Sequence, residues 1–188
     1  MKINGNTIRP GMVIEHQDRL WVAIKTQHTQ PGKGGAYLQV ELKDVRDGTK
    51  LNERFRSSEN VERVRLDEKS FQFLFEDGDI ITFMNTVTYD QESLPKSILG
   101  DGCVFLQEGM EVMINSYEGE PISIQLPPTV ILEVTQTEPV VKGQTAAASY
   151  KPATLDNGLR IMVPPHVNEG EKIVVNTQEH SYVERARD

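Results

Sequence analysis

A single lysine stands in a glycine-rich stretch in the first third of the chain. Lys33 follows Pro31 and Gly32 and precedes Gly34 and Gly35. Proline and glycine supply the backbone angles that a turn requires, whereas no turn requires a lysine. The flanking glycines predict that the ammonium group lies at the end of a slim, protruding loop, from which it reaches into a polyanionic cavity. On the loop alone, an ordinary exposed turn lysine is the other interpretation.

The same stretch does not match a nucleotide-binding loop. The P-loop motif needs glycine at the position of Gln27 and serine or threonine at the position of Gly34, followed by a helix. Neither required residue type is present, and no helical pattern follows. The sequence therefore predicts no nucleotide site.

Reactive side chains elsewhere do not form a catalytic set. The histidines have neither metal-ligand spacing nor a neighbouring nucleophile; they are His16, His28, His166 and His180. The single cysteine, Cys103, excludes an intramolecular disulfide and a cysteine-cluster metal site, and a small core thiol is the favoured interpretation. Carboxylates stand mostly at turns. We therefore predict a protein that is not an enzyme and that holds no cofactor or metal.

The lysine loop lies between two segments with the pattern of β-strands, residues 20–26 and 37–45. Similar short apolar runs, separated by Gly-containing turns, recur to the end of the chain. The pattern loosens at residues 91–99, where we predict a short helix or an irregular segment. Closely spaced short strands are typical of small barrels, so the sequence predicts an all-β fold of three small β-barrel domains. Their predicted bounds are 1–65, 66–128 and 129–188.

Charge is distributed unevenly along the chain. The net charge is −8, but residues 1–65 carry +4, residues 66–128 carry −10 and residues 129–188 carry −2. The basic first third favours contact with phosphate, and the acidic middle favours solvent or a basic protein surface. Ordinary solvated charge on each domain is the other interpretation.

Motifs for reading nucleic-acid sequence are missing, among them helix-turn-helix, zinc-finger and aromatic RNA-binding patterns. Contacts to an RNA backbone position a protein without reading sequence. The candidates for such contacts in the first third are Lys25, Arg54, Arg56, Arg63 and Arg65.

The sequence also predicts the compartment. No apolar run approaches the roughly 20 residues of a membrane span, and the first residues lack the apolar core of a signal peptide. We therefore expect a cytoplasmic monomer with no membrane partner.

Several motifs resemble those of the bacterial elongation factor P family, and the resemblance covers the whole chain. Pro31-Gly32-Lys33-Gly34 at a predicted hairpin tip resembles the modified-lysine loop of that family. The C-terminal signature of the family matches Lys151-Pro152-Ala153, Gly158, Ile161, Val163-Pro164, Val167 and Gly170. Further landmarks are Phe83-Met84-Asn85, Gln125-Leu126-Pro127-Pro128 and Tyr182-Val183-Glu184-Arg185.

The resemblance implies an SH3-like barrel followed by two OB-folds in an L-shaped, tRNA-like arrangement. It implies a translation factor that binds the ribosome between the peptidyl-tRNA and exit sites and relieves stalling at consecutive prolines. Lys33, which a separate enzyme modifies in many family members, would then lie beside the CCA end of peptidyl-tRNA. Because the ribosome supplies the chemistry, a factor of this kind needs no catalytic set of its own.

The resemblance further implies contact residues outside the first third. Tyr182 and Arg185 are candidate tRNA contacts, although Glu184 between them replaces a serine of the family pattern. Gly100 and Asp101 are candidates for a loop near the exit-site codon. They match the start of a Gly-Asp-Asn-Ala-Lys-Trp loop found in some members, but this chain continues Gly-Cys-Val-Phe.

Other functions stay open at the level of the sequence. A hydrolase would use carboxylates of the acidic middle third, although no nucleophile or metal set accompanies them. A plain RNA-binding or scaffold module needs only the basic first third. Within the same superfamily, the elongation factor P-like proteins are a further alternative, but their tip usually lacks the Pro-Gly-Lys-Gly sequence of residues 31–34.

Overall fold

The computed structural model of the protein describes residues 1–139 and 149–187. Within these residues, sixteen β-strands form three sheets, and the helical segments are short 3-10 turns at Gly5–Thr7, Lys96–Ile98 and Gly100–Phe105. The predicted all-β fold of small barrel-like domains is confirmed.

Six strands form the first sheet, in the order β1-β6-β2-β3-β4-β5. They are β1 (Lys2–Asn4), β2 (Val13–His16), β3 (Arg19–Thr29), β4 (Tyr37–Asp44), β5 (Lys50–Arg56) and β6 (Asn60–Val64). In β4, Leu38, Val40 and Leu42 are buried, whereas Gln39 and Lys43 are exposed. Because side chains alternate between the faces of a strand, this sheet has an apolar inner face and a polar outer face.

Five strands form the second sheet, in the order β11-β10-β7-β8-β9. They are β7 (Asp67–Asp77), β8 (Ile80–Asn85), β9 (Gln91–Pro95), β10 (Glu111–Tyr117) and β11 (Glu120–Gln125). The prediction of a helix or irregular segment at 91–99 is wrong for its first half, which is β9, and a 3-10 turn follows only at Lys96–Ile98. Leu94 of β9 is buried opposite Ile81 of β8. This pairing with a distant strand overrides the weak local pattern.

Five strands form the third sheet, in the order β14-β13-β12-β15-β16. They are β12 (Thr129–Thr137), β13 (Lys151–Leu155), β14 (Arg160–Val163), β15 (Lys172–Asn176) and β16 (Ser181–Arg185). Their inward residues form one apolar cluster, which also takes in Phe105 from a preceding segment of the chain.

The structure divides into two compact units. One comprises Met1–Lys69 with Ile114–Ile124, and the other comprises Ser70–Met113 with Gln125–Asp188. The division into three domains stays a prediction.

Gly5 packs so closely against the end of β5 that no side chain fits there. A Cβ atom at Gly5 would lie 2.8 Å from the backbone oxygen of Arg56 and 2.8 Å from the Cβ of Phe55. The Gly5 amide also donates a 2.7 Å hydrogen bond to the Glu59 carbonyl, which fixes the backbone in place. We therefore expect Gly5→Ala to lower the free energy of unfolding of the first unit by about 1–3 kcal/mol.

Urea unfolding followed by the fluorescence of Trp21 measures this loss, because Trp21 is the single tryptophan and is buried in the same unit. Gly32→Ala is the matched control, since a Cβ at Gly32 would meet no atom within 4 Å. If Gly5→Ala and Gly32→Ala unfold at the same urea concentration, the close packing around Gly5 is contradicted.

Candidate nucleic-acid interface

The lysine loop joins two strands that stay paired up to its base. Thr29, the last residue of β3, lies opposite Tyr37, the first residue of β4. Lys33 is the central residue of the seven, residues 30–36, that connect these strands, and it is exposed. The loop is therefore carried at the end of a continuous ribbon of strands.

The loop glycines have two different roles. Gly34 has a φ of +115°, in the region that favours glycine. A Cβ atom at Gly32 or Gly35 would meet no atom within 4 Å. Gly34 thus sets the path of the backbone, whereas Gly32 and Gly35 keep the loop slim on both sides of Lys33.

Strand pairing places three cations behind the loop on one face of the ribbon. Arg54 and Arg56 alternate on β5 with the buried Phe55, so both arginines lie on the outer face. Arg56 pairs with Tyr37 at the base of the loop. The pairings of β3 and β5 with β4 put Lys25 on the same face, one row behind Arg54.

None of these three cations forms an ion pair within residues 1–139 and 149–187. Other cations of the first unit form ion pairs, such as Arg19 Nε with Asp44 Oδ2 at 2.7 Å. The Arg54 guanidinium instead lies over the ring of Tyr37, with its Cζ 4.3 Å from the ring centroid. Glu41 lies opposite Lys25 on the same face, but its carboxylate lies 3.9 Å from Lys50 Nζ. The outer face behind Lys33 therefore keeps an excess of positive charge, which favours a polyanion.

The structure does not bring all five predicted backbone contacts to this face. Arg63 lies on β6, which pairs with β1 and β2, and Arg65 follows β6. Lys25, Arg54 and Arg56 are therefore the members of the predicted set that share the face leading to Lys33.

Tyr37 also lies on this face, although it was not among the predicted site residues. Its ring lies on the polar face of β4 and is partly exposed, and tyrosine is intermediate between the residue types of the core and those of the surface. The alternation of side chains along the strand indicates this position. Tyr37 lies two residues before the exposed Gln39, on the same face, whereas the buried Leu38 between them lies on the opposite face.

The two C-terminal candidates lie on β16 of the third sheet. Arg185 is held within the chain, because its Nε lies 3.2 Å from Glu171 Oε2 and its Nη2 donates a 2.9 Å hydrogen bond to the His166 carbonyl. Tyr182 is partly buried against the core of the sheet. This burial raises the pKa of the Tyr182 phenol above its ordinary value, against the opposing effect of Arg185, so the phenol is protonated at neutral pH and can donate a hydrogen bond.

The predicted exit-site loop is a 3-10 turn with one exposed end and one anchored end. Gly100, with a φ of +59°, and Asp101 are exposed. Phe105 at the other end is fully buried and meets the ring of His180 edge to face, with centroids 5.0 Å apart. Asn157 also donates a 2.9 Å hydrogen bond from Nδ2 to the Val104 carbonyl. Phe105 was not predicted as an anchor, because nothing local to residues 100–105 identifies its partners.

Cys103 lies in the same turn and is half-buried rather than a core residue. Its Sγ lies 3.6 Å from the Lys96 carbonyl oxygen. Burial raises the pKa of the Cys103 thiol, and the Lys96 charge only partly opposes this. The thiol is therefore protonated at neutral pH and is a weak nucleophile.

Neither a metal-binding cluster nor a membrane-spanning helix is found among residues 1–139 and 149–187. No group of three His, Cys, Asp or Glu side chains there has a geometry that holds a metal ion. No helix there is long and apolar enough to cross a membrane.

Comparison with known proteins gives full-length matches. Residues 4–61 match the elongation factor P KOW-like domain, residues 66–124 the elongation factor P OB domain, and residues 130–185 the elongation factor P C-terminal family. Elongation factor P of Chelativorans sp. (strain BNC1) is 61% identical over 186 residues, 99% of this chain and 100% of the relative. That of Parvibaculum lavamentivorans is 59% identical over 186 residues, with the same shares covered.

A solved structure shares the fold at low identity. It is the eukaryotic translation initiation factor 5A from Methanococcus jannaschii, 22% identical, with a TM-score of 0.54 over 68% of this chain and 92% of that one. The domain matches and the all-β fold define a translation elongation factor. The chain belongs to the elongation factor P family.

Proposed function

We propose that the protein binds the ribosome between the peptidyl-tRNA and exit sites and promotes peptide-bond formation where consecutive prolines stall translation. The observation that carries the proposal is Lys33 at the end of a ribbon whose outer face holds an excess of cations, among them Arg54 and Arg56, which form no ion pair among the described residues. Such a face suits the phosphates of an RNA backbone, which fix position and orientation rather than sequence. Membership of the elongation factor P family supports the same function.

Lys33 acts by position rather than by reaction. Proline restricts the geometry of the reacting groups, and holding the CCA end of peptidyl-tRNA in a reactive orientation lowers the entropic part of the barrier. The ribosome performs the chemistry itself, so the protein is not an enzyme. Pro31, Gly32, Gly34 and Gly35 keep the loop narrow enough to carry Lys33 between crowded RNA strands.

Lys33 is also the proposed target of a lysine-modifying enzyme. The side chain is exposed, and the space beside Gly32 and Gly35 is open, so an active site can enclose it. An added group that carries an amine would lengthen the arm and keep its positive charge. Lysine suits this use because its flexible stem ends in a compact charge.

The rest of the chain makes the remaining proposed contacts. Tyr182 donates a hydrogen bond from its phenol hydroxyl to tRNA. Arg185 donates one from its Nη1 group, which has no partner among the described residues. Gly100 and Asp101 present the exposed end of their turn towards the exit-site codon. The protein acts as a cytoplasmic monomer, with its domains at 1–65, 66–128 and 129–188.

A reconstituted translation system tests the proposal. Ribosomes translate one message with three consecutive proline codons and a matched message with alanine codons, with and without the protein. We expect the protein to accelerate peptide-bond formation about 10- to 100-fold on the proline message and to leave the alanine message unchanged. Equal rates on the proline message with and without the protein would contradict the proposal. Equal acceleration on both messages would contradict the specificity for consecutive prolines.

A further inference from the structure

Tyr37 is an aromatic residue on a polar surface at the base of the lysine loop. It follows Ala36 directly and is the first residue of β4. The next residue, Leu38, points into the core and is buried, so the ring of Tyr37 lies on the outer face. The ring is partly exposed and contributes to the surface that carries Lys33.

Arg54 reaches along the ribbon to cover this ring. Its strand partner is Gln39, two residues further from the loop than Tyr37. The guanidinium nevertheless lies over Tyr37, with Cζ 4.3 Å from the ring centroid, which is within the range of a cation–π contact. The side chain therefore leans diagonally towards the loop and brings its charge closer to Lys33.

The aromatic ring is what holds Arg54 in this orientation. Within residues 1–139 and 149–187, the Arg54 side chain forms no hydrogen bond or ion pair with a neighbour. The neighbouring charge of Arg56 on the same strand face repels it. A guanidinium stacked on a ring keeps its N–H edge free, and that edge matches two oxygens of a phosphate.

We infer that Tyr37 is a positioning residue that holds the Arg54 guanidinium at the base of the loop. In this position Arg54 binds a phosphate of the RNA backbone behind Lys33. This inference rests on the proposed function. Stacking on Tyr37 reduces the rotamer freedom that Arg54 would otherwise lose on binding. Tyr37 thereby acts through Arg54 and touches no reacting atom.

Binding measurements over a series of KCl concentrations test the inference. Ribosomes that carry peptidyl-tRNA and are stalled at proline codons are titrated with wild type, Tyr37→Phe, Tyr37→Leu, Arg54→Gln and the double variant Tyr37→Leu/Arg54→Gln. Tyr37→Phe keeps the ring and is expected to bind like wild type. Tyr37→Leu removes the ring but keeps the charge, so we expect Kd to rise about two- to fivefold with an unchanged salt slope.

Arg54→Gln removes one phosphate contact. We expect it to weaken binding and to reduce the slope of log K against log salt by about 0.7–0.9. The double variant should bind no more weakly than Arg54→Gln alone, because Tyr37 acts only through Arg54. Tyr89→Leu, at an exposed tyrosine outside the first sheet, is the matched control and should bind like wild type.

Three results would overturn the inference. An unchanged Kd for Tyr37→Leu excludes a positioning role, and effects that multiply in the double variant show that Tyr37 acts independently of Arg54. An Arg54→Gln variant that loses affinity without a change of salt slope shows that Arg54 does not contact a phosphate. If wild-type protein fails to bind these ribosomes, the proposed function is overturned as well. The three results above leave wild-type binding intact and overturn only the inference.

Discussion

Lys33→Ala is expected to abolish the acceleration of peptide-bond formation at consecutive prolines. The rate should fall about 10- to 100-fold, to the rate of ribosomes without the protein. The side chain is the single charge of the loop at residues 30–36, and its removal should leave the fold intact because it is exposed. The reconstituted assay on the proline message measures the effect. A Lys33→Ala protein as active as wild type would exclude the loop as the functional element.

Two control variants separate the causes of this loss. Lys43→Ala removes an exposed lysine from β4, at the end of that strand remote from the loop, and it should retain full acceleration. Lys33→Arg keeps the positive charge but removes the amine that a modifying enzyme would extend. If Lys33→Arg accelerates peptide-bond formation as much as wild type does, positive charge at this position suffices. If Lys33→Arg gives no acceleration, the modified amine of Lys33 is required. Intact-mass spectrometry of protein from its native cells shows directly whether Lys33 carries an added group.

Phe105→Ala is expected to cause the largest loss of stability, about 3–5 kcal/mol in the free energy of unfolding of the third sheet. The ring is fully buried in the apolar cluster of that sheet, although it belongs to a 3-10 turn that precedes β12. Truncation to alanine leaves a cavity and removes the edge-to-face contact with His180. Hydrogen exchange of the buried β12 amides, such as those of Leu132 and Val134, measures the loss of protection.

The control for this variant is Val104→Ala, one residue earlier in the same turn. Val104 is partly exposed, so its truncation should change stability by less than about 0.5 kcal/mol. Phe105→Leu should lie between the two, since it keeps most of the apolar volume. Unchanged exchange of the β12 amides in Phe105→Ala would show that the anchor contributes nothing to the third sheet.

The elements that the sequence predicted well are those with strong local patterns. The hairpin around Lys33 is flanked by runs of strand-forming residues, and Pro31 with its glycines turns the chain between them. Residues 91–95 lack such a pattern and form a strand only because β8 lies beside them and Leu94 finds a buried place opposite Ile81. Local propensity decided the first case, and a partner from elsewhere in the chain decided the second.

The candidate site divides in the same way. Lys33 and its glycines were identified from residue type and spacing alone, and the cations Arg54 and Arg56 from the charge of the first third. Which cations share the face of the loop could not be read from the sequence, because strand order places Arg63 on β6 and Arg54 on β5. Likewise, the ion pair of Arg185 with Glu171 forms only when β16 lies against its neighbours.

The sequence by itself therefore determined the all-β class, the family and the exposed lysine at a hairpin tip, since turn chemistry, strand periodicity and motif spacing are properties of adjacent residues. Only the tertiary structure decided that Tyr37 lies beneath Arg54 and that Phe105 belongs to the core of the third sheet. Both are contacts between segments remote in the chain, and they depend on register and packing, which no local pattern encodes.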